Sequence, residues 1–179
     1  MVTAIISKKV CLLGDFSVGK TSLIRRFVER TFKEDYLSTV GVTISKKTVE
    51  FVSDRQETEL MVQLLIWDLA GNTRFKSIVP AYLNGSSGAV IVGDVSRQVT
   101  IDHLLNHVQL FVSVNPQACI IVALNKSDLI EPKQLEKLIQ SLSLKDYQQV
   151  LAVYPTSAKT GLFVDEIFHK LAYGIYKSP

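Results

Sequence analysis

A chain of 179 residues favours one domain, residues 1–179, with room for a proper core, and its 47% hydrophobic and 21% charged content fits an ordinary soluble globule. The net charge of +3 is spread over scattered pairs (Lys8–Lys9, Arg25–Arg26, Lys46–Lys47), a solvated surface rather than a nucleic-acid stripe. No apolar stretch approaches the roughly 20 residues of a membrane helix, so nucleic acid and a membrane span are both set aside.

In chain order, "MVTAIISKK" puts its lysines after the apolar residues, the reverse of a secretory signal. "KVCLL" reads as a strand, and a helix from about Lys20 to Glu29 carries Leu23, Ile24, Phe27 and Val28 on one face. Two long alternating runs, "VTISKKTVEFV" and "ELMVQLLIWDL", flank the polar "SDRQET" and predict an antiparallel hairpin. "GAVIVGDV" and "ACIIVALN" are apolar on all sides, as buried parallel strands are. "QVLAVYPTS" is a weaker last strand. Helical patterns fall at 100–114, 132–142 and 162–175, while Pro80 shortens or kinks the helix expected around it. Such alternation predicts a parallel sheet covered by helices on both faces, with ligands beyond the carboxyl ends of its strands.

The first such end carries "GDFSVGKT". Gly14 and Gly19 let the loop bend so that successive N–H groups of Asp15, Phe16, Ser17, Val18 and Gly19 face a phosphate at a helix N-terminus. Lys20 then sets a cation against the β- and γ-phosphates, and the Thr21 hydroxyl, next to Ser22, is placed to ligate Mg²⁺. The pattern arises by chance in roughly 1% of chains this long.

"IWDLAG" supplies Asp68, where a carboxylate would hold a Mg²⁺-bound water, and Gly71, whose N–H would meet the γ-phosphate. "LNKSDL" supplies Asn125, Lys126 and Asp128. A carboxylate accepts from both guanine N1–H and the exocyclic amine, whereas adenine would leave it facing a lone pair; unpaired groups of this kind discriminate by about 10⁴–10⁵. "TSAK", Thr156 to Lys159, adds Ser157, the Ala158 N–H for the guanine oxygen, and Lys159.

With "STVGV" and "WDLAGNTRF", these motifs make the chain resemble the Ras superfamily of small GTPases, and the Rab branch most, from about Lys8 to the C-terminal helix. The resemblance implies an α/β P-loop NTPase fold, a Ras-like six-stranded mixed sheet with one antiparallel edge strand and five flanking helices. It implies Mg²⁺-dependent hydrolysis of GTP to GDP, used as a switch. Phe32 matches an aromatic that packs against guanine, Tyr36 one that closes over the phosphates, and Thr39 the threonine joining Thr21 and Asp68 around Mg²⁺ when the γ-phosphate is present. Trp67 and Tyr82 match two of three apolar residues through which Rab surfaces meet effectors, and Ile44 stands where the third is usually phenylalanine. An effector, exchange factor or activating protein is expected at residues 33–46 and 70–82.

Two departures bear on rate. Asn72 stands where glutamine positions the attacking water, one methylene short, and Phe16 stands where the family favours a small residue. With Lys20, Thr39 and Gly71, Asn72 completes the expected catalytic set, and slow hydrolysis is expected; a module that merely holds GTP or GDP is the alternative. An ATP-using enzyme conflicts with Asn125 and Asp128. His103 and His107 read as surface residues of a helix, without the third ligand zinc needs. The tail "AYGIYKSP" shows no cysteine for prenylation, and Cys11 and Cys119 read as buried reduced thiols. A cytoplasmic monomer is the expectation.

Overall fold

A computed structural model describes residues 5–33, 39–52, 59–71 and 79–178. Its six strands are β1 (Ile5–Leu13), β2 (Val42–Val52), β3 (Glu59–Leu69), β4 (Gly88–Asp94), β5 (Cys119–Asn125) and β6 (Val150–Pro155). They form one sheet in the order β2-β3-β1-β4-β5-β6, with β2 antiparallel to β3 and every other pair parallel. The helices are α1 (Lys20–Glu29), α2 (Val79–Leu83), α3 (Gln98–Asp102), α4 (Leu104–Val114), α5 (Pro132–Ser141) and α6 (Val164–Lys177). The expected 100–114 helix starts earlier and is divided at His103. That residue stays helical (φ −81°, ψ −10°), and the bonds His103 N–H to Val99 O and His107 N–H to His103 O carry the ladder across it. With α3 and α4 taken as one broken helix, the described residues hold five helices on a six-stranded mixed sheet, the Ras-like α/β fold.

Strand β1 alternates its side chains between two cores. Val10 and Leu12 join α1 and α6 on one face; Cys11 and Leu13 join α4 on the other. Phe27 of α1 stacks on Phe168 of α6 with ring centroids 4.2 Å apart, and both rings are buried. Every residue of β4 and β5 is buried, because helices cover both faces there. Cys11 and Cys119 are buried free thiols.

Strand β1 is four residues longer at its start than the apolar run suggests. Ile5 to Lys8 pair with Met61 to Leu64, a backbone ladder that needs no buried face: Ile5 and Ile6 are exposed. Pro80 lies within the short α2. The hairpin turn, Tyr36 and Asn72 lie outside the described residues.

Candidate functional site

The carboxyl ends of the parallel strands converge. β1 runs into Gly14, whose φ of +144° and contact with Val92 O exclude a Cβ: one would sit 2.3 Å from that oxygen. The loop closes at Gly19 (φ +98°), where a Cβ would sit 2.3 Å from Asn125 Nδ2. From there Lys20 opens α1 and is buried, its Nζ donating to Gly14 O and Asp15 O at 2.9 Å each. Burial with little compensation holds this ammonium down at about 8. An anion arriving beside this buried ammonium would restore what burial removed.

Thr21, Thr39 and Asp68 meet at one point. The Thr21 and Thr39 hydroxyl oxygens are 2.7 Å apart, Thr21 Oγ1 donates to Asp68 Oδ2, and Thr39 Oγ1 lies 3.4 Å from the same oxygen. Asp68 Oδ1 is buried and takes no hydrogen bond among the described residues. Burial raises the Asp68 carboxyl above its ordinary range, against the pull of Thr21 and Lys20. An orphaned carboxylate oxygen beside two hydroxyls is an all-oxygen donor set suited to a hard divalent cation, so the residues fit Mg²⁺. Gly71 is pressed against the phosphate loop: a Cβ there would lie 2.7 Å from Asp15 C, Asp15 O and Lys20 Nζ.

The loop after β5 lies behind the phosphate loop and is bonded to it. Asn125 Nδ2 donates to Val18 O at 2.9 Å, while its Oδ1 accepts from the Ala158 N–H at 3.2 Å and faces Thr156 Oγ1 at 3.4 Å. Lys126, in a left-handed conformation, donates to Ser17 O at 3.0 Å and to Asp94 Oδ2 at 2.7 Å. Asp128 accepts a 2.6 Å bond from the buried Ser157 hydroxyl on Oδ1. Between these loops lies a cavity of about 390 Å³. Phe16, Ser17, Gly19, Lys20, Thr21 and Ser22 line one side, and Asn125, Lys126, Asp128, Ala158 and Lys159 the other. Phe32, Thr39 and Gly71 complete the lining. Val18 and Ser157 stand behind that wall as buried supports, and Asp15 turns away from it.

Comparison with known proteins agrees with this geometry. A family model, the Ras of Complex, Roc, domain of DAPkinase, matches residues 9–128. Human Ras-related protein Rab-22A is 35% identical over 167 residues, spanning 92% of this chain and 81% of that protein. Rab5A of Oryza sativa subsp. japonica is 35% identical over 167 residues (92% and 77%), and Rab-13 of Rattus norvegicus 33% over 174 (93% and 79%). The chain belongs to the Ras superfamily of small GTPases. It is a Rab-like, GTP-binding switch that hydrolyses GTP, with regulators and effectors as its general class of partner; the reading as a mere nucleotide-holding module gains no support over this. Among the described residues no helix is long and apolar enough to cross a membrane.

The GTPase also holds its phosphate loop through residues that pattern-reading passed over. Arg97 donates through Nη2 to Phe16 O at 2.8 Å and through Nε to Asp94 Oδ2 at 3.0 Å. Asp94, 1% exposed, thus joins Lys126 to Arg97, and the bonds from Lys126, Ser96 and Arg97 lower its carboxyl although burial works the other way. A charge closing the apolar run "GAVIVGD" is the signal that would have found it. Arg25, Lys33 and Leu129 also line the cavity, with no motif to mark them. His103 and His107 lie on the helix surface as read, His103 exposed and His107 half-buried, but both rings also bond to Asp15, a partner the sequence did not show. Helical spacing put them on one face, but only the packing of that face on the loop brought an acid to them.

Proposed function

We propose that this GTPase binds guanine nucleotide in the 390 Å³ cavity. Its phosphates lie against Gly14–Ser22, its base against Asn125, Asp128 and Ala158, and Mg²⁺ is held by Thr21, Thr39 and Asp68. The orphaned Asp68 Oδ1 beside the two threonine hydroxyls is the observation that carries this reading. Bound there, Mg²⁺ would supply positive charge against the phosphates. Lys20 leaves its two carbonyl partners for the phosphates, and the Gly71 N–H meets the γ-phosphate, for which only a glycine leaves space. Thr39 and Gly71 are then held with GTP and released with GDP, and a partner at 33–46 and 70–82 reads the difference.

The partner surface proposed there is supported by three neighbours. Ile44 pairs with Trp67 across β2 and β3 and is 51% exposed; Trp67 and Tyr82 have ring centroids 6.5 Å apart. Two exposed apolar side chains, Ile44 and Tyr82, beside a half-buried tryptophan suit a protein partner rather than the solvent. We place the protein in the cytoplasm, a placement its two free, buried thiols support, and read it as a signalling monomer of one domain.

Release of a fluorescent GDP analogue tests the site. EDTA is expected to speed release at least tenfold in the wild type and to change it little in Asp68→Ala. An EDTA response retained in Asp68→Ala refutes the metal assignment.

A further inference from the structure

Asp15 is an acid inside a loop built for anions. Each of its carboxylate oxygens is taken by one imidazole: His103 Nδ1 is 2.6 Å from Oδ2, and His107 Nε2 is 2.9 Å from Oδ1. The two histidines stand one turn apart across the α3–α4 junction, so both rings reach the same side. The carboxylate borders an outer cavity of about 650 Å³ between the loop and that broken helix, whereas the described lining of the inner, phosphate cavity does not include it. The main chain of the same residue faces the other way. Asp15 O accepts from Lys20 Nζ at 2.9 Å and, with Asp15 C, lies against Gly71.

We propose that His103 and His107 are positioning residues for nucleotide binding, which act by holding the Asp15 carboxylate outside the phosphate cavity. The proposal rests on the seating of the phosphates against Gly14–Ser22 given above. Each ring needs only one N–H, on Nδ1 of His103 and Nε2 of His107, so neutral imidazoles suffice. The cations nearby are Lys20, which faces the cavity, and Arg97, which is engaged by Asp94 and Phe16 O. Without the histidines the Asp15 charge is no longer held toward the outer cavity, and it can draw Lys20 to itself. A charge-assisted hydrogen bond is worth about tenfold at its weakest, and two are lost.

The test is release of a fluorescent GDP analogue from the full chain in excess Mg²⁺. His103→Ala/His107→Ala is expected to release it at least tenfold faster. His103→Asn/His107→Gln, whose amide nitrogens replace Nδ1 and Nε2, is expected to stay within about threefold of wild type. Adding Asp15→Asn to the double alanine variant should recover most of the loss, because the repelling charge is gone; a merely structural role predicts no recovery. Wild-type release from the double alanine variant, failure of the Asn/Gln pair, or no recovery with Asp15→Asn overturns the proposal. Should the double variant not fold, His103→Ala and His107→Ala singly, each with and without Asp15→Asn, carry the same comparison. Lys20→Ala separates the two readings. If it also releases at the wild-type rate, the phosphate seating is wrong; if it releases fast while the histidine variants do not, this inference alone falls.

Discussion

Asn125 Nδ2 donates to Val18 O at 2.9 Å, so the loop expected to read the base also fixes the loop expected to hold the phosphates. Asn125 is 1% exposed, and its other end accepts the Ala158 N–H. Asn125→Ala strands Val18 O and the Ala158 N–H, two buried groups at about 1–3 kcal/mol each. GDP titration should show affinity down at least 30-fold, with a lower unfolding midpoint. A full-affinity variant would mean that the two loops are positioned independently.

Lys20 sets a pH dependence. Its ammonium is held at about 8 in the folded, nucleotide-free chain against an ordinary 10.5. Between those values the unfolded chain binds more protons than the folded one, so stability rises with pH there, and below the lower value the whole cost of burial is present. The gain totals on the order of 3 kcal/mol across the window. Thermal unfolding of nucleotide-free protein from about pH 7.5 to about pH 9.5 should show the wild type gaining on Lys20→Met. Parallel curves would show that the ammonium is not held in this way.

Ser17 adopts a left-handed backbone (φ 63°) that disfavours any residue with a Cβ by roughly 1–2 kcal/mol. Ser17→Gly removes that strain but loosens the unfolded chain, so a net gain of about 0.5–1 kcal/mol is expected in denaturant unfolding. Because Lys126 bonds to the main-chain oxygen of this residue, the contact survives the change. A destabilised variant would point instead to a Ser17 side-chain contact worth more than the strain.

Asn72 lies outside the described residues, and its chemistry alone sets the expectation. Its amide falls about one methylene short of the glutamine it replaces, a misplacement of the kind that costs about 10²-fold. We expect Asn72→Gln to speed single-turnover hydrolysis of GTP at least tenfold with GDP affinity unchanged. An unchanged rate would mean that other groups orient the water.

Much of the frame was legible because its signals are local. The alternating runs of β2 and β3 begin and end where the strands do, at Val42–Val52 and Glu59–Leu69. The all-apolar runs became β4 and β5, shielded on both faces. Glycine spacing marked the phosphate loop for the same reason: φ at Gly14 and Gly19 is a property of the residue type. The start of β1 was not legible, since Ile5–Lys8 are in the strand through backbone pairing with β3 and leave no burial pattern. The break at His103 likewise has no mark in a continuous apolar period.

By itself the sequence determined the element types, the glycine-built loop and the residue kinds that suit a guanine nucleotide and Mg²⁺, because periodicity and backbone freedom act over a few neighbouring residues. Tertiary structure alone decided which side chains meet across long separations: Asp15 with His103 and His107, Arg97 with Phe16, Asp94 with Lys126. The reason is geometric. A hydrogen bond acts over about 3 Å, and only the packing of strands, loops and helices brings residues some 30 to 90 positions apart to that range.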